Sequence, residues 1–221
     1  MNLTAIVPIK EFDKAKSRLS SILPHHLRKE LVKNMLKDVL RALTNANEVK
    51  DVIIVTPSKE IHNVTSLFSK VHIVYDEGKG QIPAVMKAMQ FALDFIKPDA
   101  ILLTVADIPL IRPQDINEAA KLAKPYNTIV LAPSIDGGTN IMVQHPPRLI
   151  ELMYGENSFY KHLKLARSKN INVRIYRSNT VILDVDDIND LRQLMNMCLS
   201  IHECFNVDTC LFLRKIQHII A

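Results

Sequence analysis

One basic loop and two acidic strings carry most of the chemistry this sequence could do. Lys10, Lys14, Lys16 and Arg18 place four cations within nine residues, with Ser17 among them. Such a loop could neutralise a polyphosphate; it could equally be a solvated charged loop. Asp107 stands in Thr104-Val105-Ala106-Asp107-Ile108-Pro109, just past the most apolar run of the chain. A carboxylate there is costly without a partner. It suits Mg²⁺, which takes one or two carboxylates plus substrate phosphates. A cap on the following turn is the other reading. Leu183-Asp184-Val185-Asp186-Asp187 sets three acids in four residues. Asp186 or Asp184 could be a second metal ligand. The same acids could instead cap the next helix, whose N-terminal dipole favours negative charge. Two acidic strand ends facing one basic loop are more telling together than any one of them alone.

Asp136-Gly137-Gly138-Thr139-Asn140 lets the backbone approach a ligand closely, with Thr139 and Asn140 as donors; a plain hairpin turn is the alternative. Gly155-Glu156-Asn157-Ser158 precedes a helix, and free N–H groups at a helix start bind anions. Ser158 could also be only the cap. No GxxxxGK and no GxGxxG occurs, so bound phosphates would be held by side-chain cations and a metal rather than a backbone cradle. Cys198, Cys204 and Cys210, with His202 and His218 nearby, lack the CxxC pairs of most zinc sites. They read as buried thiols. His25 and His26 fall at a helix start and read as surface residues. No Ser/His/Asp or Cys/His nucleophile arrangement stands out.

The elements that must position these residues alternate. Apolar runs at 3–9, 52–56, 71–75, 100–105, 128–132, 141–144, 172–176 and 181–185 read as strands. Residues 24–43 follow helical spacing, with Leu27, Leu31, Val32, Met35, Leu36, Val39, Leu40 and Leu43 in one stripe. Further helices are expected at 58–69, 82–96, 113–123, 158–168 and 188–199. Strands separated by helices of this length imply βαβ units and a mostly parallel sheet. A single-domain Rossmann-like α/β/α sandwich is the economical reading, over residues 1–199. An apolar tail, 200–221, would pack on the domain or on a second copy, which makes a homodimer the expected assembly. In open α/β sheets ligands sit beyond the carboxyl ends of the strands, where all the candidates above fall.

The 221 residues are 48% hydrophobic and 23% charged. Ample apolar material excludes intrinsic disorder. No apolar run approaches the roughly 20 residues a membrane helix needs, and the first run lacks the basic flank of a secretory signal. Three cysteines, an odd number, argue against a disulfide framework and fit a reducing cytoplasm. Residues 1–50 hold ten Lys/Arg and five Asp/Glu; the remainder balances. That basic excess attracts anions in general. Aromatics are only 5%, with no Trp, so the stacking platforms of single-strand nucleic-acid binders are missing. No nucleic acid and no membrane is expected as partner.

The string Ile6-Val7-Pro8-Ile9-Lys10, followed by Ala15-Lys16-Ser17-Arg18-Leu19-Ser20, resembles the opening of the 2-phospho-L-lactate guanylyltransferase family. The resemblance continues through residues 76–84, Thr104-Val105-Ala106-Asp107-Ile108-Pro109, Asp136-Gly137-Gly138-Thr139-Asn140, Asn157-Ser158-Phe159 and Leu183-Asp184-Val185-Asp186, over about residues 1–195. It implies the nucleotide-diphospho-sugar transferase fold. It also implies transfer of a guanylyl group from GTP to a small phosphorylated three-carbon acid, with Mg²⁺, in coenzyme F-420 biosynthesis. Thr139, Gly155 and Ser158, with Gly138 and Asn140, would hold the acid. Asp107 and either Asp186 or Asp184 would hold the metal. Lys10, Lys16, Arg18 and Asp107 are the catalytic candidates. Pro8, Ser17, Thr56, Gly80, Gln81 and Thr104 are assigned to the nucleotide. A nucleotidyltransferase for a sugar phosphate or a molybdopterin is disfavoured, because 10–20 contains no glycine. A regulatory nucleotide-binding module would not need both acidic strand ends.

Overall fold

A computed structural model describes residues 1–14, 16–200 and 206–220. Seven strands form one sheet in the order β3-β2-β1-β4-β6-β5-β7. They are β1 (Leu3–Pro8), β2 (Val49–Thr56), β3 (Val71–Tyr75), β4 (Ala100–Thr104), β5 (Thr128–Pro133), β6 (Thr139–His145) and β7 (Asn172–Ile175). Pairs β1–β2, β1–β4, β2–β3 and β5–β7 are parallel; β6 runs antiparallel between β4 and β5. The sheet is therefore mostly parallel, as the strand–helix alternation predicts.

Side chains alternate across the sheet with the strand period of two. Ala5 and Val7 of β1 join one core and Ile6 joins the other. The first core is covered by α1 (His25–Asn45), α4 (Pro113–Leu122), α6 (Ile188–Ser200) and α7 (Asp208–Ile220). The second is covered by α3 (Gln81–Phe91) and α5 (Ser158–Ser168). Every residue of β4 is buried, which fits its nearly unbroken apolar sequence in a strand covered on both faces.

Three expectations change. The run 181–185 is not a strand. Val181, Leu183 and Val185 are buried, so its apolar alternation serves burial. Isolated bonds hold it instead of a ladder: Ile135 N–H donates to Ile182 O and Val185 N–H to Asp107 O. The stretch 58–69 forms only a 3₁₀ turn at Lys59–Ile61 and the single-turn α2 (His62–Thr65). Cys198 and Cys210 form a disulfide rather than two thiols. The α6–α7 packing brings their Cα atoms to 5.4 Å, inside the range a disulfide spans, a proximity that a cysteine count cannot reveal. Cys204 and His202 lie outside the described residues.

Of the two partners open to the apolar tail, the chain itself supplies one. In α7, Leu213, Ile216 and Ile220 are buried against the first core. Asp38 of α1 caps the helix from outside, accepting from the backbone N–H of Asp208 and of Thr209 at 2.8 and 2.9 Å. Arg41 ties Asp38 to Asp208. Among the described residues, no helix is long and apolar enough to cross a membrane.

Candidate active site

The topology gathers the candidates at one edge of the sheet. Strands β1, β2, β3 and β4 are mutually parallel, so their carboxyl ends share that edge. Because β6 is antiparallel, its start lies there too, with Ile141 beside Thr104. The Val185 N–H bond to Asp107 O, at 3.1 Å, brings the second acidic string alongside the first.

Lys16 enters from the loop after β1. Its φ of +53° is left-handed, a conformation that costs a non-glycine residue on the order of 1–2 kcal/mol. Its ammonium lies 2.5 Å from Asp107 Oδ2 and 2.9 Å from Asp186 Oδ1, and only a tenth of the side chain is exposed. Burial pushes the ammonium's pKa down; Asp107 and Asp186 outweigh it and hold it well above the ordinary lysine value. Asp186 is pushed up by burial, but Lys16, Arg18 and Lys10 bring it below the usual carboxylate range. Arg18 is mostly exposed, with Nη1 4.0 Å from Asp186 Oδ2. Lys10 and Ser17 are exposed at the same mouth, and Pro8 is half-buried.

The three acids of the second string separate by role. Asp187 Oδ1 accepts from Asn189 and Asp190 N–H, which caps the start of α6. Asp186 turns to Lys16. Asp184 lies 3.5 Å from the Asn140 amide. Its pKa is pushed up to about 7 by burial first, then by Asp107, Asp136 and Asp186. Asp107 Oδ1 is buried with no hydrogen-bond partner. Two carboxylates converging on one cation, one of them with an uncommitted buried oxygen, form a donor set that Mg²⁺ would fit. Among the described residues no cluster of three or more His, Cys, Asp or Glu is placed to hold a metal, so Asp107 and Asp186 would be a two-carboxylate site.

Other candidates have internal duties. Asn140 is buried, and its amide donates to Val181 O at 2.8 Å and to Ile182 O at 3.4 Å. It pins the stretch before Asp184. Thr104 Oγ1 donates to Asn140 O at 3.0 Å, and Thr56 Oγ1 accepts from Ser58 N–H at 3.1 Å. Both threonines are buried, and these hydroxyls shape the edge. Gly80 (φ +114°) and Gln81 begin α3, with nothing within 4 Å of where a Gly80 Cβ would stand. Gly138 is required for close approach to protein: a Cβ there would meet Ser134 Oγ at 2.6 Å. Its N–H donates to that same oxygen at 2.7 Å, and Ser134 also bonds Asp136.

The start of α5 is less open than its sequence implies. Ser158 N–H donates to Gly155 O and Phe159 N–H to Gly137 O, both at 3.1 Å. Gly155 is exposed, with φ +113°. Thr139 and Ser158 are buried, with their hydroxyl oxygens 3.1 Å apart. A cavity of about 440 Å³ adjoins this corner, lined in part by Ser134, Asp136, Asn157, Tyr160 and Arg177. It borders the Gly137 turn but none of Lys10, Lys16, Arg18, Asp107 and Asp186. Sequence reading missed His162, which bonds Thr139. Its i+4 spacing from Ser158 puts both on one face of α5, the one available signal.

Paired acids and a basic loop at the carboxyl edge of a three-layer α/β sandwich suit phosphate chemistry, and the chain's family and relatives make it a nucleotidyltransferase. A sequence model for a family described as "Guanylyl transferase CofC like" matches residues 3–218. A "2-phospho-L-lactate guanylyltransferase" of Methanocaldococcus sp. (strain FS406-22) is 34% identical over 192 residues, 87% of this chain and 81% of the relative. A "Phosphoenolpyruvate guanylyltransferase" of Roseiflexus castenholzii is 33% identical over 191 residues, 86% of this chain and 87% of the relative. A solved structure described as a nucleotide-diphospho-sugar transferase from Desulfovibrio desulfuricans G20 superposes with a TM-score of 0.82 at 20% identity. That match covers 100% of this chain and 97% of the other. The chain belongs to the CofC-like guanylyl transferase family.

Proposed function

We propose that this enzyme joins GTP to 2-phospho-L-lactate, giving lactyl-2-diphospho-5'-guanosine and pyrophosphate for coenzyme F-420 biosynthesis. The observation that carries the reading is the Lys16 ammonium held between Asp107 and Asp186 at the carboxyl edge, on a chain whose relatives are named for this transfer. A phosphomonoester has a second pKa near 6, so the acid's phosphate is mostly dianionic at pH 7. No general base is required. A phosphate oxygen attacks the α-phosphorus of GTP, the bond to the β-phosphate oxygen breaks, and pyrophosphate leaves with its electron pair. Asp107 and Asp186 would hold Mg²⁺, which when bound supplies charge neutralisation between the two phosphates. Lys10, Lys16 and Arg18 offset the charge gathering on the departing pyrophosphate. Pro8, Ser17, Gly80 and Gln81, at the ends of β1 and β3, remain the residues for the nucleotide. Thr139, Gly155 and Ser158 remain those for the acid.

Phosphoenolpyruvate is the second acid, because a relative 33% identical over 191 residues is named for it. The test is pyrophosphate release with Mg²⁺ and GTP, run in parallel on 2-phospho-L-lactate, phosphoenolpyruvate and 3-phosphoglycerate, with ATP as the nucleotide control. Release with GTP and 2-phospho-L-lactate alone supports the reading; release with another acid moves the substrate; no release overturns it. We further propose that the reaction is cytoplasmic, where nucleoside triphosphates are made, the Cys198–Cys210 disulfide having removed the cysteine count as a ground for it, and that the enzyme is a homodimer. The tail residues that suggested a dimer are buried within the chain, so the mass in solution by light scattering is the test.

A further inference from the structure

His162 has no part in the reaction above, yet it is fully buried and engaged at both ring nitrogens. The Met153 N–H donates to Nε2 at 2.8 Å, and Nδ1 lies 3.1 Å from Thr139 Oγ1. A backbone amide can only donate, so Nε2 is the acceptor and the neutral ring carries its proton on Nδ1. Burial, then the charge of Lys161, pushes the imidazole down to about 4, so at neutral pH the ring is uncharged. Tyr154 packs edge-on to it, ring centres 5.4 Å apart, which restrains rotation. Nδ1–H therefore donates to Thr139 Oγ1, itself 3.1 Å from Ser158 Oγ.

Hydrogen bonds then run one way from amide to imidazole to the Thr139 hydroxyl, and either hydroxyl can donate between Thr139 and Ser158. One hydroxyl proton closes the bond between Thr139 and Ser158. The other has no acceptor among the described residues, although both side chains are more than nine-tenths buried. A buried donor left without an acceptor costs roughly 1–3 kcal/mol. An anionic oxygen of a ligand would remove that cost.

We propose that His162 is a positioning residue for the phosphorylated acid, its Nδ1–H tautomer holding Thr139 and Ser158 so that their remaining hydroxyl proton is presented to an anionic oxygen of that substrate. This rests on the proposed function, which places the acid at Thr139, Gly155 and Ser158. The ring acts through the two hydroxyls and moves no proton itself.

His162→Phe keeps a ring and removes both hydrogen bonds. His162→Asn retains an N–H donor near the Nδ1 position. With 2-phospho-L-lactate as the varied substrate, His162→Phe is expected to raise KM about tenfold or more, with KM for GTP changed less than about twofold. His162→Asn should recover most of the loss. Equal rises in both KM values, or an Asn variant no better than Phe, would overturn the proposal. Nitrogen-15 NMR of the wild-type ring gives a readout that survives a poorly folding variant. A protonated Nδ1, bare Nε2 and a shift of the Nδ1–H signal on adding 2-phospho-L-lactate are expected. An Nε2–H ring, or one that ignores saturating acid, overturns it. An inactive wild type whose ring still shows the expected tautomer and response fails the functional reading alone. An active wild type with an unresponsive ring fails this inference alone.

Discussion

Lys16 Nζ meets Asp107 Oδ2 at 2.5 Å across 91 positions of sequence, and Asp186 closes on the same ammonium from 170 positions away. The lysine occupies the spot between two carboxylates that a divalent cation would take. Lys16→Met should therefore leave two carboxylates facing each other. Breaking a well-buried pair costs about 3–5 kcal/mol. Asp186 is about half exposed, so solvent reduces this to roughly 1–3 kcal/mol, a fall of about 3–10 °C in melting temperature. Adding Mg²⁺ should recover more of that in the variant than it adds to wild type. Thermal melts with and without Mg²⁺ check this, and equal Mg²⁺ shifts in both proteins would refute it.

Asp107→Asn should lower turnover by on the order of 10²-fold or more while keeping the circular dichroism of the folded protein, with a lower melt because Lys16 loses its shorter ion pair. Near-normal turnover would remove Asp107 from the metal role. Arg18 is three-quarters exposed, so Arg18→Ala should change stability by less than about 0.5 kcal/mol. It should weaken use of GTP more than use of the acid. Steady-state kinetics with each substrate varied separates the two, and an unchanged GTP KM and kcat would sink the assignment.

Gly138→Ala puts a methyl group 2.6 Å from Ser134 Oγ. Ser134 is buried and bonded to both Gly138 N–H and Asp136, so it has little room to move. A loss of roughly 1–3 kcal/mol in urea unfolding is expected, together with a higher KM for the acid, since Thr139 follows directly. A variant as stable and as active as wild type would show that the turn yields freely.

His162 makes stability depend on pH. Its folded pKa of about 4 lies below the ordinary histidine value of 6.5, so between these values the unfolded chain binds the extra proton. The contribution is complete above pH 6.5 and is lost as pH falls toward 4, by on the order of 3 kcal/mol. Urea unfolding of wild type and His162→Phe from pH 7 to 4 should therefore show the gap between them closing as pH falls. A constant gap would mean that the ring does not titrate in this window.

Much of the architecture was legible in local pattern. Apolar runs mark five of the seven strands closely, and the stripe from Leu27 to Leu43 marks α1, because helical spacing decides which side chains share a face. The carboxyl-edge rule placed Lys16, Asp107 and Asp186 at one mouth. The other two strands are legible only in part, β2 as residues 52–56 and β6 as residues 141–144. Val181–Leu183–Val185 misled, since burial produces the same alternation with or without a ladder. The α6–α7 contact that pairs Cys198 with Cys210 is equally invisible to a residue count.

By itself, then, the sequence determined most of the strands and helices, the acids that follow two buried apolar runs and the family motifs; these depend on residue type and short-range spacing. Only the tertiary structure decided partners. Asp186 turned to Lys16 while Asp187 capped α6, because Val185 N–H is tied to Asp107 O. The antiparallel return of β6 put the Thr104 hydroxyl on Asn140 O, while the Asn140 amide went to Val181 O. Hydrogen bonds act over about 3 Å, and residues tens to hundreds of positions apart reach that distance only after the crossovers have closed the sheet.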